Sequence, residues 1–286
     1  MTSPVLSFEF FPPKTARMER TLWRNIGQLE MLKPSFFSVT YGALGSERDH
    51  SLETVFNMQR ECHVPVAAHL TAAGHTRASL LELAQRFHEN GIQRIVALRG
   101  DADLTEGGIH DVADMVTALR SVADFDISVA AYPEVHPKAP SLEADLVQLK
   151  RKLDAGSKRA LTQYFFDADV FLRFRDAAVK AGIEQPIVPG ILPVHDFDKV
   201  QAFSARCGAT VPARLHKLFA GTVAGSQQQK RMGIELAVDL CETLMAEGVS
   251  QLHFYTLNIP SLTFEVAHQL GLPLAWDQQP ALRLAA

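Results

Sequence analysis

Residues 79–100 read S-L-L-E-L-A-Q-R-F-H-E-N-G-I-Q-R-I-V-A-L-R-G. The first thirteen place apolar residues at helical spacing and stop at Asn90-Gly91, a common helix ending. The last seven form a short apolar run rich in β-branched residues, closed by Arg99 and Gly100, and read as a buried strand. One helix followed by one strand with a polar exit is the unit from which the rest of the chain can be read.

Seven other segments share the strand pattern. They begin at Val5 (VLSFEFF), Phe36 (FFSVTYG), Val66 (VAAHLT), Ile127 (ISVAAYP), Ala160 (ALTQYFF), Ile187 (IVPGILP) and Leu252 (LHFYTLN). With Arg94 included, the successive starts are 31, 30, 28, 33, 33, 27 and 65 residues apart. The first six spacings suit one strand, one helix and two loops. The last is about double and predicts extra helices, placed between Asp196 and Gly248. Eight strands alternating with helices predict an α/β fold, a (β/α)8 TIM barrel; a doubly wound sheet is the alternative, and the near-even spacing favours closure. The segments between strands carry helix signals. Met18, Leu22, Ile26 and Leu29 lie on one helical stripe, Ser141 with Glu143 opens a helix that closes on Gly156, and a long amphipathic run ends at Gly248. No linker or charge block divides residues 1–286, so one catalytic domain is expected.

Composition narrows the function. Lys plus Arg number 28 against 32 Asp plus Glu, which argues against nucleic acid as a partner. No apolar run approaches the roughly 20 residues of a membrane span, and the N-terminus lacks a signal-peptide pattern. Cys62, Cys207 and Cys241 are too few and too scattered for a disulfide framework or a metal cluster, so a reducing, cytoplasmic setting with no metal is expected. GxGxxG, GxxxxGK[ST], HExxH and GxSxG are all absent, so any nucleotide is held without a Rossmann unit or P-loop.

Barrel enzymes work at the C-terminal ends of their strands. Polar residues cluster there: Glu9, Thr40, His69, Arg99, Asp101, Tyr132, Glu134, His136, Gln163 and Asn258. In the first strand Ser7, Glu9 and Phe11 alternate onto one face. A carboxylate among aromatics inside a barrel is expected to have a raised pKa, suited to a general acid; a salt-bridged structural carboxylate is the other reading. Gly100 lets the backbone turn or approach a ligand closely between Arg99 and Asp101; the alternative is that these two residues simply pair with each other. His69 on its own reads first as a satisfied core or loop histidine, and its place at a strand exit favours a functional role. The loop Tyr132-Pro133-Glu134-Val135-His136-Pro137 is stiffened by two prolines. The helix after it carries Asp145, Lys150, Arg151 and Lys152, either a solvated face or a phosphate site. By pattern alone Phe203 and Phe219 belong to cores of amphipathic helices.

Several segments resemble methylenetetrahydrofolate reductase of the bacterial, flavin-dependent type: SFEFFPPKT from Ser7, FFSVTYGA from Phe36, AAHLT from Ala67, IVALRGD from Ile95, DISVAAYPEVHP from Asp126, LKRKLDAG from Leu149, TQYFFD from Thr162, PGILPV from Pro189 and HFYTLN from His253. They touch every strand, in order. The resemblance implies an FAD-binding barrel that takes a hydride from NADH or NADPH and passes it, ping-pong, to 5,10-methylenetetrahydrofolate. Glu9 matches the family's general acid, and Asp101 a carboxylate beside flavin and pterin. The positions matching FAD contacts are Tyr41, Ala43, His69, Arg99, Gly100, Asp101, Tyr132, His136, Ala139, Asp145, Gln148, Arg151 and Lys152. Thr40, Gln163, Lys199 and Phe203 match substrate contacts, Phe203 as a stacking aromatic. Two positions depart from the pattern. Lys199 stands where a Gln is common and Ile259 where an Arg is common, both toward the aminobenzoyl-glutamate end of the folate.

The chain ends soon after its eighth strand, so no regulatory domain and no control by S-adenosylmethionine are expected. Relatives of this type imply a homo-oligomer, a dimer or tetramer. Rival readings are another FAD-dependent barrel oxidoreductase, such as a proline dehydrogenase-like enzyme, a flavin-free folate methyltransferase, and a non-catalytic barrel.

Overall fold

A computed structural model describes residues 3–42, 46–101 and 105–274. The strands are β1 (Val5–Phe10), β2 (Phe36–Val39), β3 (Val66–Thr71), β4 (Arg94–Leu98), β5 (Asp126–Ala131), β6 (Arg159–Tyr164), β7 (Ile187–Ile191) and β8 (Gln251–Tyr255). They run parallel in sequence order and close through β8 against β1, with Ser7 opposite His253 and Glu9 opposite Tyr255. The helices are α1 (Ala16–Glu30), α2 (Ser46–Glu61), α3 (Arg77–Glu89), α4 (Val112–Arg120), α5 (Leu142–Asp154), α6 (Ala168–Lys180), α7 (Phe197–Cys207), α8 (Ala213–Phe219), α9 (Gln227–Ala246) and α10 (Pro260–Gln269). The closed barrel is the architecture the strand spacing predicts, and α7, α8 and α9 account for the long interval before β8.

Local chemistry sets the helix boundaries. Thr15, Thr76, Asp111, Ser141, Asp167, Asp196 and Ser226 each accept a backbone N–H in the first turn of the helix they precede. Each such cap contributes about 1 kcal/mol. Gly91 and Gly156 follow α3 and α5 with positive φ, as the stop signals predict. On α1 the stripe Leu22, Ile26 and Leu29 is buried. Met18, expected on that stripe, lies in the first turn and is exposed, because the helix begins only two residues earlier.

The pleat divides the strands into two packing layers. Leu6, Phe8 and Phe10 point outward to meet the helices, with Phe8 against Phe37 and Phe254. Phe36, Ala67, Val96, Leu161 and Val188 form a separate buried cluster that fills the barrel interior. Ser7 and Glu9 share this inner side. Phe11, expected with them, lies beyond the end of β1 and is exposed.

Among the described residues no helix is long and apolar enough to cross a membrane. The three cysteines are free.

Candidate active site

Glu9 occupies the inner face of β1 near its C-terminal end. Its Oε2 lies 3.3 Å from His69 Nε2 on β3 and 3.6 Å from His253 Nε2 on β8. Both imidazoles are buried. His253 Nδ1 shares a 2.8 Å hydrogen bond with Ser7 Oγ. The main chain is braced at the same place: Thr256 donates to the Glu9 carbonyl through both its hydroxyl, at 2.6 Å, and its backbone N–H.

This geometry overturns one expectation. Burial does push the Glu9 carboxyl upward, but the charge of His69 and the close approach of both imidazoles outweigh it and hold the pKa at about 2. Opposite charge within a few ångströms of a carboxylate favours its ionised form. The raised value followed from desolvation inside the barrel and took no account of the two imidazoles that meet Glu9 from β3 and β8. Glu9 is therefore ionised, facing two buried imidazoles.

Around this centre stand the other strand exits. Thr40 closes β2, its N–H donating to the Phe10 carbonyl. Tyr41 hydrogen-bonds His75 Nε2 through its hydroxyl at 3.1 Å and stacks on that ring. Ala43 lies outside the described residues. After β4, Arg99 is half-buried and donates to the Gly100 carbonyl. It forms no ion pair with Asp101 or with another carboxylate among the described residues. Gly100 adopts φ +83, and a Cβ there would press on Thr71 and Ala73. Asp101 is exposed, and its charge adds to burial in pushing the Tyr132 phenol upward. Gln163, half-buried on β6, accepts the Tyr164 N–H through Oε1.

The Tyr132–Pro137 loop is held from within. Tyr132 packs edge-on against His136 with ring centroids 4.5 Å apart. His136 N–H donates to Asp145 Oδ2, and Ala139 N–H to the His136 carbonyl. Val135 sits at φ +68, costly for a β-branched residue and kept only because its surroundings enforce it. On α5 the basic residues separate. Lys152 turns inward to the Ala130 carbonyl at 2.6 Å, and burial lowers its pKa to about 8. Arg151 pairs with Asp111 at 2.8 Å and bonds Gln148, while Lys150 pairs with Asp154. Only Lys152 of the three points to the strands; Arg151 and Gln148 stand at the exposed rim.

Phe203 is exposed on α7, stacked on Tyr164 at 5.9 Å; Phe219 is buried against Phe197. Lys199 pairs with Asp196 at 2.9 Å in the first turn of α7. Asn258 is a brace: its side-chain amide accepts from Phe11 N–H and donates to the Phe11 carbonyl.

His253 and Tyr255 were not read as site residues from sequence. Alternation along β8 was the available signal, since it puts an imidazole and a phenol on the barrel interior. Tyr255 donates its hydroxyl to the Thr162 carbonyl at 2.7 Å and packs edge-on against His253. Among the described residues no group of three or more His, Cys, Asp or Glu side chains is arranged to hold a metal ion.

The arrangement offers a largely buried carboxylate flanked by two imidazoles, open strand exits, and cationic groups at the β4 and β5 exits. Comparison with known proteins agrees with the sequence resemblance. The methylenetetrahydrofolate reductase family model matches residues 1–271. The chain is 48% identical over 269 residues to the 5,10-methylenetetrahydrofolate reductase of Pectobacterium carotovorum, covering 93% of this chain and 90% of that one. It is 47% identical over 268 residues to the enzyme of the same name from Escherichia coli K12, with the same coverage. A solved structure of a Clostridium thermocellum protein, described as binding two copies of 5-methyl-5,6,7,8-tetrahydrofolic acid, shares the fold with a TM-score of 0.69 at 15% identity, over 93% of this chain and 96% of that one. With a family match along nearly its whole length and near-half identity to bacterial enzymes, this chain belongs to the methylenetetrahydrofolate reductase family.

Proposed function

We propose that the chain reduces 5,10-methylenetetrahydrofolate to 5-methyltetrahydrofolate, with NADH or NADPH as hydride donor and FAD as the resident cofactor in a ping-pong cycle. The observation that carries the reading is Glu9 held between His69 and His253 on the inner wall of the barrel, with its pKa set by those imidazoles.

The residues suit FAD. Arg99 has no carboxylate partner among the described residues, and Lys152 brings an ammonium to the β5 exit. Gly100 lets a ligand approach the backbone. Such a donor set fits a diphosphate and polar ring edge. Tyr132, His136 and Asp145 would complete the wall, and Asp101 would place a negative charge beside the flavin and pterin. Bound FAD supplies the hydride relay between nicotinamide and folate.

The chain's own part is positioning and proton supply. Glu9 presents Oε2 beside two imidazoles through which a proton would reach it, and His253 is tied on its far side to Ser7. Folate opening needs a proton at that end, and a carboxylate backed by a histidine can be recharged between turnovers. Gln163 and Thr40 stand where substrates would be oriented, and Phe203 offers an exposed ring for stacking. The aminobenzoyl-glutamate end meets Ile259 rather than a guanidinium, and Lys199 is already paired with Asp196, so tail binding rests on fewer charges.

The decisive test is Glu9→Gln in FAD-loaded protein under anaerobic stopped flow. Bleaching of the flavin by NADH should persist, while reoxidation by methylenetetrahydrofolate should slow by about 10²–10⁴-fold. Unchanged folate turnover would remove Glu9 from the mechanism, and a colourless protein that takes up no FAD would overturn the cofactor assignment. The same reading carries a cytoplasmic homo-oligomer, and light scattering measures the oligomeric state.

A further inference from the structure

At the opposite, N-terminal end of the barrel from the strand exits lies an ionic cluster that this chemistry does not use. Arg159 at the start of β6 grips Asp126 at the start of β5 with two hydrogen bonds of 2.7 and 3.0 Å. Arg94 at the start of β4 approaches the same carboxylate at 3.3 Å. Two cations share one anion, so the cluster carries a net positive charge. Both guanidiniums lie over the ring of Phe36, 5.4 Å and 5.8 Å from its centroid. Phe36 is buried and stacks on His253, with centroids 6.0 Å apart and planes 26° apart. His253 is the residue that faces Glu9.

The imidazole is enclosed on every side. Glu9 and Ser7 reach it from β1, and Phe36 stacks from β2. His69 on β3 shares its carboxylate, and Tyr255 packs edge-on at 5.3 Å. β7 contributes the backbone of Gly190 opposite His253 in register. The remaining charges that face this pocket are those of Arg94, Asp126 and Arg159, on β4, β5 and β6, relayed through Phe36.

We propose that Arg94, Asp126 and Arg159, acting through Phe36, are positioning residues for the acid centre: they fix the plane of His253 and place a positive field on the His253–Glu9 pair. The role in turnover rests on the function proposed above; the field itself does not. The two ring contacts place the Arg159 guanidinium no more than about 12 Å from the imidazole, and a unit charge at that distance in an effective dielectric of about 20 moves a pKa by about one pH unit. Partial exposure of the cluster lowers this to about half a unit or more.

The test compares Arg159→Met with Arg159→Lys. Methionine keeps the volume and removes the charge; Arg94 stays paired with Asp126, so the fold is retained. Lysine keeps the charge and loses the two-pronged grip. Nitrogen NMR of histidine-labelled, FAD-loaded protein, with His253 assigned by its loss in His253→Gln, reads protonation directly and needs no substrate. Arg159→Met should raise the apparent pKa of His253 by about half to one pH unit, Arg159→Lys should restore most of the shift, and the acid-dependent limb of folate reduction should move with it while flavin bleaching does not. An unmoved His253 titration in Arg159→Met, or equal shifts in both variants, would overturn the proposal. The NMR shift in Arg159→Met together with a wild-type protein that reduces no methylenetetrahydrofolate would refute the function and leave the field intact.

Discussion

His69 Nε2 stands 3.3 Å from Glu9 Oε2, bridging β3 and β1 across the barrel interior. This contact is the main reason the Glu9 carboxyl lies well below its ordinary value, because the charge of His69 is the foremost influence opposing burial. Replacing His69 with Leu should therefore let desolvation prevail. The Glu9 pKa should climb from about 2 toward or above 4.5, followed by carbon NMR of a glutamate-labelled protein. If the carboxyl does not move, His253 alone controls it.

The same depression makes Glu9 a pH-dependent contributor to stability. Its folded pKa of about 2 lies below the ordinary 4.5, so its ionised form stabilises the fold above about pH 4.5. That share is lost as pH falls from 4.5 through 2. Urea unfolding of wild type and Glu9→Gln across this window should show a shallower decline in the variant. Parallel declines would mean that the pKa is not depressed.

Gly190 and Tyr255 occupy one space. A Cβ on Gly190 would run into the Thr162 carbonyl and the Tyr255 ring, neither of which can swing away, since Tyr255 hydrogen-bonds that carbonyl. Gly190→Ala should cost about 1–3 kcal/mol in urea unfolding, the usual range for overpacking. It should also disturb the His253 environment, through the edge contact from Tyr255. A neutral substitution would show that the β6–β7 wall has room to give.

Lys152 is poised to report cofactor binding. Burial lowers its pKa to about 8, so in the free protein it loses its charge as pH rises through that value. A bound diphosphate would favour the charged form. FAD affinity should therefore fall above about pH 8, by at most about tenfold per pH unit, and Lys152→Met should flatten that slope. Release measured by flavin fluorescence checks both. A pH-independent affinity in wild type would place the phosphates elsewhere.

Much of the architecture was legible because it is local. A strand, a helix and two loops occupy near-constant lengths of chain, and caps such as Ser141 and stops such as Asn90-Gly91 act within one turn. Strand exits followed from the same periodicity, which is why Thr40, Arg99, Tyr132 and Gln163 fall at one end of the barrel. Alternation along β1 likewise set Ser7 and Glu9 apart from Phe8 and Phe10, as found, but it carried no sign that His69 and His253 would meet Glu9 on that inner face.

By itself, then, the sequence determined the eight-unit barrel, the elaboration before β8, and through its motifs the family. Tertiary structure alone decided the ionisation of Glu9. His69 and His253 come from strands far apart in the chain, and only closure of β8 onto β1 sets both imidazoles against one carboxylate. The sign of a pKa shift depends on charges within a few ångströms, and chain spacing does not encode those distances.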